Sequence, residues 1–205
     1  MNEPTILVPG FKDTIHVLRP LVNVLAKAGL HPVPMSPQPS NGGAGIEVLA
    51  AQLAAQIEAA FPAEQAINLV GFSMGGLICR TYVQKLGGAN RTHRLVTVAT
   101  PHQGTWLAYL YNNRPACLQM RPGSAFLADL NSDLTALAQV QFSSIWTPLD
   151  LTIMPANSSR LPIGEVRSIF SPFHGTLLLD PRVLRLVADA LRQPLNPAQP
   201  VMAIL

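Results

Sequence analysis

A serine hydroxyl is a weak nucleophile at neutral pH and becomes a strong one only where the backbone presents it to a base. The stretch Leu69-Val70-Gly71-Phe72-Ser73-Met74-Gly75-Gly76-Leu77 has the pattern for such a presentation. An apolar run over residues 66–70 leads into Gly-x-Ser-x-Gly, and an amphipathic, helix-like segment follows over residues 77–86. The bare pentapeptide recurs by chance. Its meaning comes from the strand before it and the helix after it. A serine between those elements sits on a tight turn where only small neighbours fit, which accounts for Gly71 and Gly75. The turn lifts the Ser73 hydroxyl above the sheet, with the positive end of a helix behind it.

Such a serine needs a base, and the base needs an oriented acid. On strand-turn-helix scaffolds of this kind the chain order is serine, acid, histidine. Of the five histidines, only His174 lies beyond all the candidate strands, in the loop Ser171-Pro172-Phe173-His174-Gly175-Thr176. The expected base is therefore His174. His102 follows a strand end but precedes any acid, so a structural role is expected there. Asp150 stands just past a strand at residues 143–146, in a loop that Pro148 stiffens, and is the expected acid. Asp180 competes, although its place before Pro181 reads as a helix N-cap. Asp129 and Asp133 read as solvated surface carboxylates. Two backbone N–H groups should face the oxygen that becomes negative in a tetrahedral intermediate. Met74 follows the nucleophile and Phe11 follows Pro9-Gly10 in the loop after the first strand, and these two are the expected oxyanion donors.

The elements that must position these groups alternate. Residues 5–8 form a short apolar strand, and residues 15–28 carry Leu18, Leu21, Val22 and Leu25 at helical spacing before Gly29. An extended, proline-punctuated stretch covers residues 31–39, and Ser40-Asn41-Gly42-Gly43 has the chemistry of a loop. Residues 46–61 form an alanine-rich helix, strands follow at 95–99, 143–146 and 166–170, and a last helix spans 181–191. The tail from Pro194 reads as irregular. Alternation of this kind predicts a mostly parallel sheet of about six strands with helices on both faces, and a site at the carboxyl ends of the strands. Residues 106–141 break the rhythm. They hold Trp106, Tyr109, Tyr111 and Phe126, offer no clear strand, and read as a helical, cap-like excursion within a single domain spanning 1–205.

Composition narrows the class. Hydrophobic residues make up 48% of the 205 and charged residues only 12%, about half the usual share. No apolar run approaches the roughly 18 residues of a spanning helix. The net charge of +3 is small and the Lys and Arg residues are scattered, so nucleic acid is not an expected partner. Cys79 and Cys117 do not make a disulfide framework. With no basic-then-hydrophobic stretch in Met1-Asn2-Glu3-Pro4, a cytoplasmic location is expected. No motif calls for a metal or an organic cofactor.

Taken together, Ile6-Leu7-Val8-Pro9-Gly10-Phe11, Gly71-Phe72-Ser73-Met74-Gly75-Gly76, Ala99-Thr100-Pro101-His102-Gln103-Gly104-Thr105, Thr147-Pro148-Leu149-Asp150 and His174-Gly175 resemble the α/β-hydrolase superfamily. Within it the chain is similar to the compact bacterial lipases and esterases, over about residues 5–191. The resemblance implies a minimal α/β-hydrolase fold and carboxylic ester hydrolysis, with acyl lipids as the substrate class and contact with a lipid interface. It also admits a thioesterase or acyltransferase, or a non-catalytic binding protein on the same fold. Two features depart from the pattern. Pro9-Gly10 stands where many lipases have His-Gly, and the 106–141 excursion is longer than in lidless minimal lipases.

Overall fold

The computed structural model describes residues 3–195. Most of the proline-containing tail therefore lies outside the described residues. The strands are β1 (Pro4–Val8), β2 (His31–Pro34), β3 (Ile67–Phe72), β4 (Thr92–Val98), β5 (Gln141–Trp146) and β6 (Glu165–Ser168). They form one six-stranded sheet in the order β2-β1-β3-β4-β5-β6, and every pairing is parallel. This is the minimal α/β-hydrolase sheet that the sequence predicts.

The strands read as continuous apolar runs because alternate residues serve two cores. Ile6, Val8, Leu69, Leu95 and Phe142 face helices α2 (Ile46–Ala60) and α3 (Met74–Lys85). Leu7, Val70, Phe72, Val96, Val98 and Ile145 face α1 (Arg19–Lys27) and α7 (Pro181–Arg192). Helix α2 buries Leu49, Leu53 and Ile57, and α1 buries Leu21 and Leu25. The excursion is helical, with a 3-10 turn at Trp106–Leu110, α4 (Pro115–Gln119), α5 (Ala125–Ser132) and α6 (Thr135–Ala138). Leu127, Leu130 and Leu137 of its second half enter the same core as α3. Among the described residues no helix is long and apolar enough to cross a membrane.

Several boundaries differ from the sequence expectation: β4 starts at Thr92 and β5 at Gln141, both earlier than expected, β2 ends at Pro34, and the first helix opens with a 3-10 turn over Ile15–Leu18. Two further differences lie next to the candidate site. Helix α3 begins at Met74, directly after Ser73, rather than at Leu77. Met74-Gly75-Gly76 has weak intrinsic helix propensity, and tertiary packing supplies what propensity lacks. Strand β6 closes at Ser168 rather than reaching Phe170. Ile169 still donates to the Trp146 carbonyl, but the chain then turns back as the Ser171 N–H bonds to Ile169 O.

Asp180 is the N-cap of α7. Its carboxylate accepts the Arg182 N–H at 2.9 Å and pairs with the Arg182 guanidinium at 2.7 Å. Those hydrogen bonds, the side-chain one first, hold its pKa well below the usual carboxylate range. A depressed pKa contributes stability that is present above the unfolded value and lost as pH falls through the folded one. Asp180→Ala should therefore cost about 1 kcal/mol at pH 7. The deficit should shrink as urea titrations are repeated from pH 4 downward.

Candidate active site

Ser73 stands between β3 and α3 with φ 53° and ψ −124°, a conformation that few non-glycine residues adopt. Its N–H is held by the Val98 carbonyl at 2.8 Å, and its own carbonyl accepts the Gly76 N–H at 3.0 Å. The two flanking glycines are required by close approach. A Cβ on Gly71 would collide with the Gly76 backbone, and one on Gly75 would collide with the Val8 carbonyl and stand 2.6 Å from Pro9 O. The missing side chain on Gly75 thus lets the first turn of α3 press against the end of β1. The loop after β1 is thereby drawn over the serine. A Cβ on Gly10 would lie 3.0 Å from Ser73 Cβ, so the Pro9-Gly10-Phe11 segment passes beside Ser73. Met74 is the first residue of α3, where an amide has no acceptor within the helix. Phe11 lines the cavity beside Ser73.

His174 and Asp150 meet across 24 residues of chain, with Nδ1 2.8 Å from Oδ2. The Asp150 side chain is 1% exposed and that of His174 10%. The second Asp150 oxygen accepts the N–H groups of Thr152 and Ile153, each at 2.9 Å. Together these bonds fix the carboxylate and leave Nε2 as the outward nitrogen of the ring. The His174 ring packs on Phe72, the residue before Ser73, with centroids 4.9 Å apart. Ser73, Asp150 and His174 thus follow the carboxyl ends of β3, β5 and β6, with the Asp150–His174 pair joined directly and the His174 ring linked to the serine turn through Phe72. Such a grouping can accept a proton from a serine and stabilise the imidazolium that results. Asp180, the competing acid, is occupied by Arg182 at the start of α7.

Sequence reasoning missed two contributors. Thr147 is fully buried. Its hydroxyl donates to Ser171 O at 2.9 Å and accepts the Leu149 N–H at 3.2 Å, so it ties the acid loop to the histidine loop. The second is Asp13. A Cβ on Gly10 would lie 2.9 Å from its Oδ2, which places a second carboxyl beside the serine. Burial pushes the Asp13 carboxyl up, against the Gly10 backbone N–H and nearby His174, which pull it down. The available signal was the turn itself, which the Asp13 N–H closes on Gly10 O at 3.3 Å.

His102 has the structural role expected of it. Arginine can only donate, so Arg80 Nη1, 3.2 Å away, requires His102 Nδ1 to accept. Nε2 then donates to Thr97 Oγ1 at 3.1 Å, and Thr97 donates to Ser143 O at 3.4 Å. Burial, and the charge of Arg80 beside it, hold the His102 pKa far below the usual range, so the ring is neutral. Among the described residues no cluster of three or more His, Cys, Asp or Glu side chains is placed to hold a metal ion.

Thr147→Val keeps the shape of the side chain but leaves the Ser171 carbonyl and the Leu149 amide without their partner. The expected loss is about 1–3 kcal/mol in chemical denaturation. A value near zero would show that the two loops are held by other contacts.

Comparison with known proteins places these features in a family. The palmitoyl protein thioesterase family profile matches residues 4–119. That span takes in the Gly10-Phe11 loop, the Ser73 turn and the Thr100–Thr105 segment, whereas Asp150 and His174 lie downstream. No curated protein matches the chain. Among solved structures, a Bacillus licheniformis lipase in its mature form is 14% identical with a TM-score of 0.73, covering 91% of this chain and 92% of that one. Aspergillus fumigatus lipase B is 19% identical with a TM-score of 0.77, covering 96% of this chain and 54% of that one. Tomato methylketone synthase I, complexed with 2-tridecanone, is 15% identical with a TM-score of 0.66 over 95% of this chain and all of that one. At these identities the likeness is one of fold. The match to more than half of its length places the chain in the palmitoyl protein thioesterase family, on an α/β-hydrolase fold.

Proposed function

We propose that the chain is a serine hydrolase that cleaves carboxylic esters through an acyl-enzyme on Ser73. The observation that carries this reading is the strained serine turn whose Phe72 packs on a histidine with its Nδ1 held by a buried carboxylate. His174 takes the Ser73 proton as the hydroxyl attacks the acyl carbonyl, then returns it to the leaving alcohol. Water, deprotonated by the same ring, releases the acid. Asp150 orients the imidazole and stabilises its charged form. The Met74 and Phe11 amides hold the oxyanion, a contribution that typically reaches 10²–10³ in rate for one such donor. Nothing in this sequence of steps draws on a metal or an organic cofactor.

A hydrophobic acyl ester, acyl lipids included, is the proposed substrate class. Support comes from the exposed Trp106, Leu110, Leu151, Phe170 and Phe173, which lie in segments following the carboxyl ends of β4, β5 and β6. The same residues support contact with a lipid interface, with the excursion over residues 106–141 as a cap whose Leu107, Ala108, Tyr111, Cys117 and Met120 border the Ser73 cavity. Cys79 and Cys117 are both free and buried, which supports a reducing, cytoplasmic setting. The family match favours a second reading, thioester hydrolysis on the same triad. It differs only in the leaving group.

A fluorophosphonate probe should label the wild-type protein and not Ser73→Ala. Hydrolysis of p-nitrophenyl esters should fall roughly 10²–10⁴-fold in Asp150→Asn and stay within a few fold in Asp180→Asn. The reverse order would move the acid to Asp180. Faster turnover of an acyl thioester than of the matching oxygen ester would favour the thioesterase.

A further inference from the structure

Three cations stand around the cavity that Ser73 borders, and none of them is paired with a carboxylate among the described residues. The Lys12 ammonium lies 5.3 Å from the centre of the Phe11 ring and 4.8 Å from that of Tyr111, and both rings line the cavity. An ammonium carries three donors, of which Tyr111 Oη accepts one at 3.4 Å. Arg114 meets the same wall. A Cβ on Gly42 would stand 2.8 Å from the Phe11 ring, 3.3 Å from Cys117 Sγ and 3.5 Å from Arg114 Cβ. Arg121 follows Met120, another lining residue, and its guanidinium lies 4.6 Å from the Tyr109 ring centre. Its Nη2 donates to the neutral Asn112 Oδ1 at 2.6 Å, and its Nε has no partner among the described residues. Burial pushes the Cys117 thiol up, and the charges of Arg114, Lys12 and Arg121 all pull against it, so the three act on one point of the cavity wall.

The segments that meet here are poor in acid. Residues 35–45 and 99–124 contain none, and residues 9–14 contain only Asp13, whose carboxyl faces Gly10. Glu47, just beyond, accepts from the Gln119 amide. A cleft edged by one sign of charge concentrates ligands of the other sign. Two guanidinium forks and an ammonium match the several oxygens and the higher charge of a phosphate better than a single carboxylate. Because Lys12 stands over two rings of the cavity wall, an anion seated there is close to an ester held at Ser73.

Resting on the proposed acyl-enzyme at Ser73, we propose that Lys12, Arg114 and Arg121 bind a phosphate carried by the leaving alcohol, a few bonds from the scissile ester, as in an acyl glycerol phosphate.

The test compares octanoyl glycerol 3-phosphate with octanoyl glycerol, both kept below their aggregation concentrations. At low salt the phosphate should raise kcat/KM about tenfold, and the advantage should fade as NaCl approaches about 1 M, where charges are screened within about 3 Å. Lys12→Gln, Arg114→Gln and Arg121→Gln should each lower kcat/KM for the phosphate compound about two- to fivefold and leave octanoyl glycerol unchanged. The salt dependence of the wild-type protein decides the matter should a variant fail to fold. Calorimetric titration of the same two compounds into Ser73→Ala reads the preference without turnover, and the phosphate compound should bind more tightly. Equal kcat/KM and equal affinity for the two compounds overturn the inference. An advantage that salt does not diminish, or variants that impair both compounds alike, does the same. Octanoyl-coenzyme A, whose phosphates lie far from its thioester, should depend less on the three cations, and a greater dependence would overturn the short spacing. Failure of the hydrolase reading looks different. No ester, p-nitrophenyl esters included, would then exceed the Ser73→Ala blank, while the preference in binding would stand.

Discussion

Four non-glycine residues among those described have positive φ, and all four follow the carboxyl end of a strand: Lys12, Ser73, Ala99 and Phe173. Each such conformation costs on the order of 1–3 kcal/mol and persists only where the surroundings impose it. Ser73 is the one on which the others turn. Its angles are imposed by the Val98 carbonyl on one side and by the packing of α3 on β1 on the other. That packing tolerates no Cβ on Gly75. The strain is thus supported by the sheet and its two cores, and the loops after β1, β4 and β6 are shaped around the position it gives the hydroxyl.

Polar groups outside the proposed chemistry do much of this shaping. Arg80 is fully buried, and among the described residues it pairs with no carboxylate. Its guanidinium spreads its donors over Gln84, His102, Leu130 O and Asn131, all neutral. A buried cation with neutral partners is tolerable only when its donors are satisfied, since its charge has left water without a counter-ion. Here that requirement binds α3 to the segment after β4 and to α5. The same segment carries Pro101 and Thr105 to the wall of the Ser73 cavity. Thr105 in turn donates to Thr152 O at 2.7 Å, two residues past Asp150, so the cavity wall and the acid loop are joined.

The site is accordingly divided between rigid and exposed parts. The Asp150 carboxylate is enclosed and receives two backbone N–H groups and the His174 ring, so its orientation is decided before any substrate arrives. Around it the surface is apolar, with Leu149, Leu151, Phe170 and Phe173 exposed. Two of these immediately flank Asp150 and one precedes His174. A water-facing arrangement would place polar residues there, because exposed leucine and phenylalanine gain nothing from solvent. Cations stand among the aromatic groups of the mouth: Lys12 lies over Phe11 and Tyr111, and Arg121 over Tyr109.

Much of this was legible in the sequence because it rests on local chemistry. Gly-x-Ser-x-Gly between a strand and a helix needs only the nearest neighbours to specify its turn. The alternation of apolar runs with helical spacing is enough to predict a parallel sheet with two covered faces. Chain order then singled out His174 and Asp150 as candidates, and proline after an acid marked Asp180 as a helix cap. Only the tertiary structure decided matters of distance and enclosure. It brought Asp150 Oδ2 to His174 Nδ1, set Asp13 beside Gly10, and turned Arg80, an unremarked residue of a helix, into the tie between three elements. It also fixed the size of the cavity at Ser73 through Cys117 and Met120, residues with no local signal of their own. The division has a physical reason. Turn geometry and periodicity are short-range properties of the chain, whereas a buried hydrogen bond or a cavity wall exists only when segments distant in sequence share the same few ångströms.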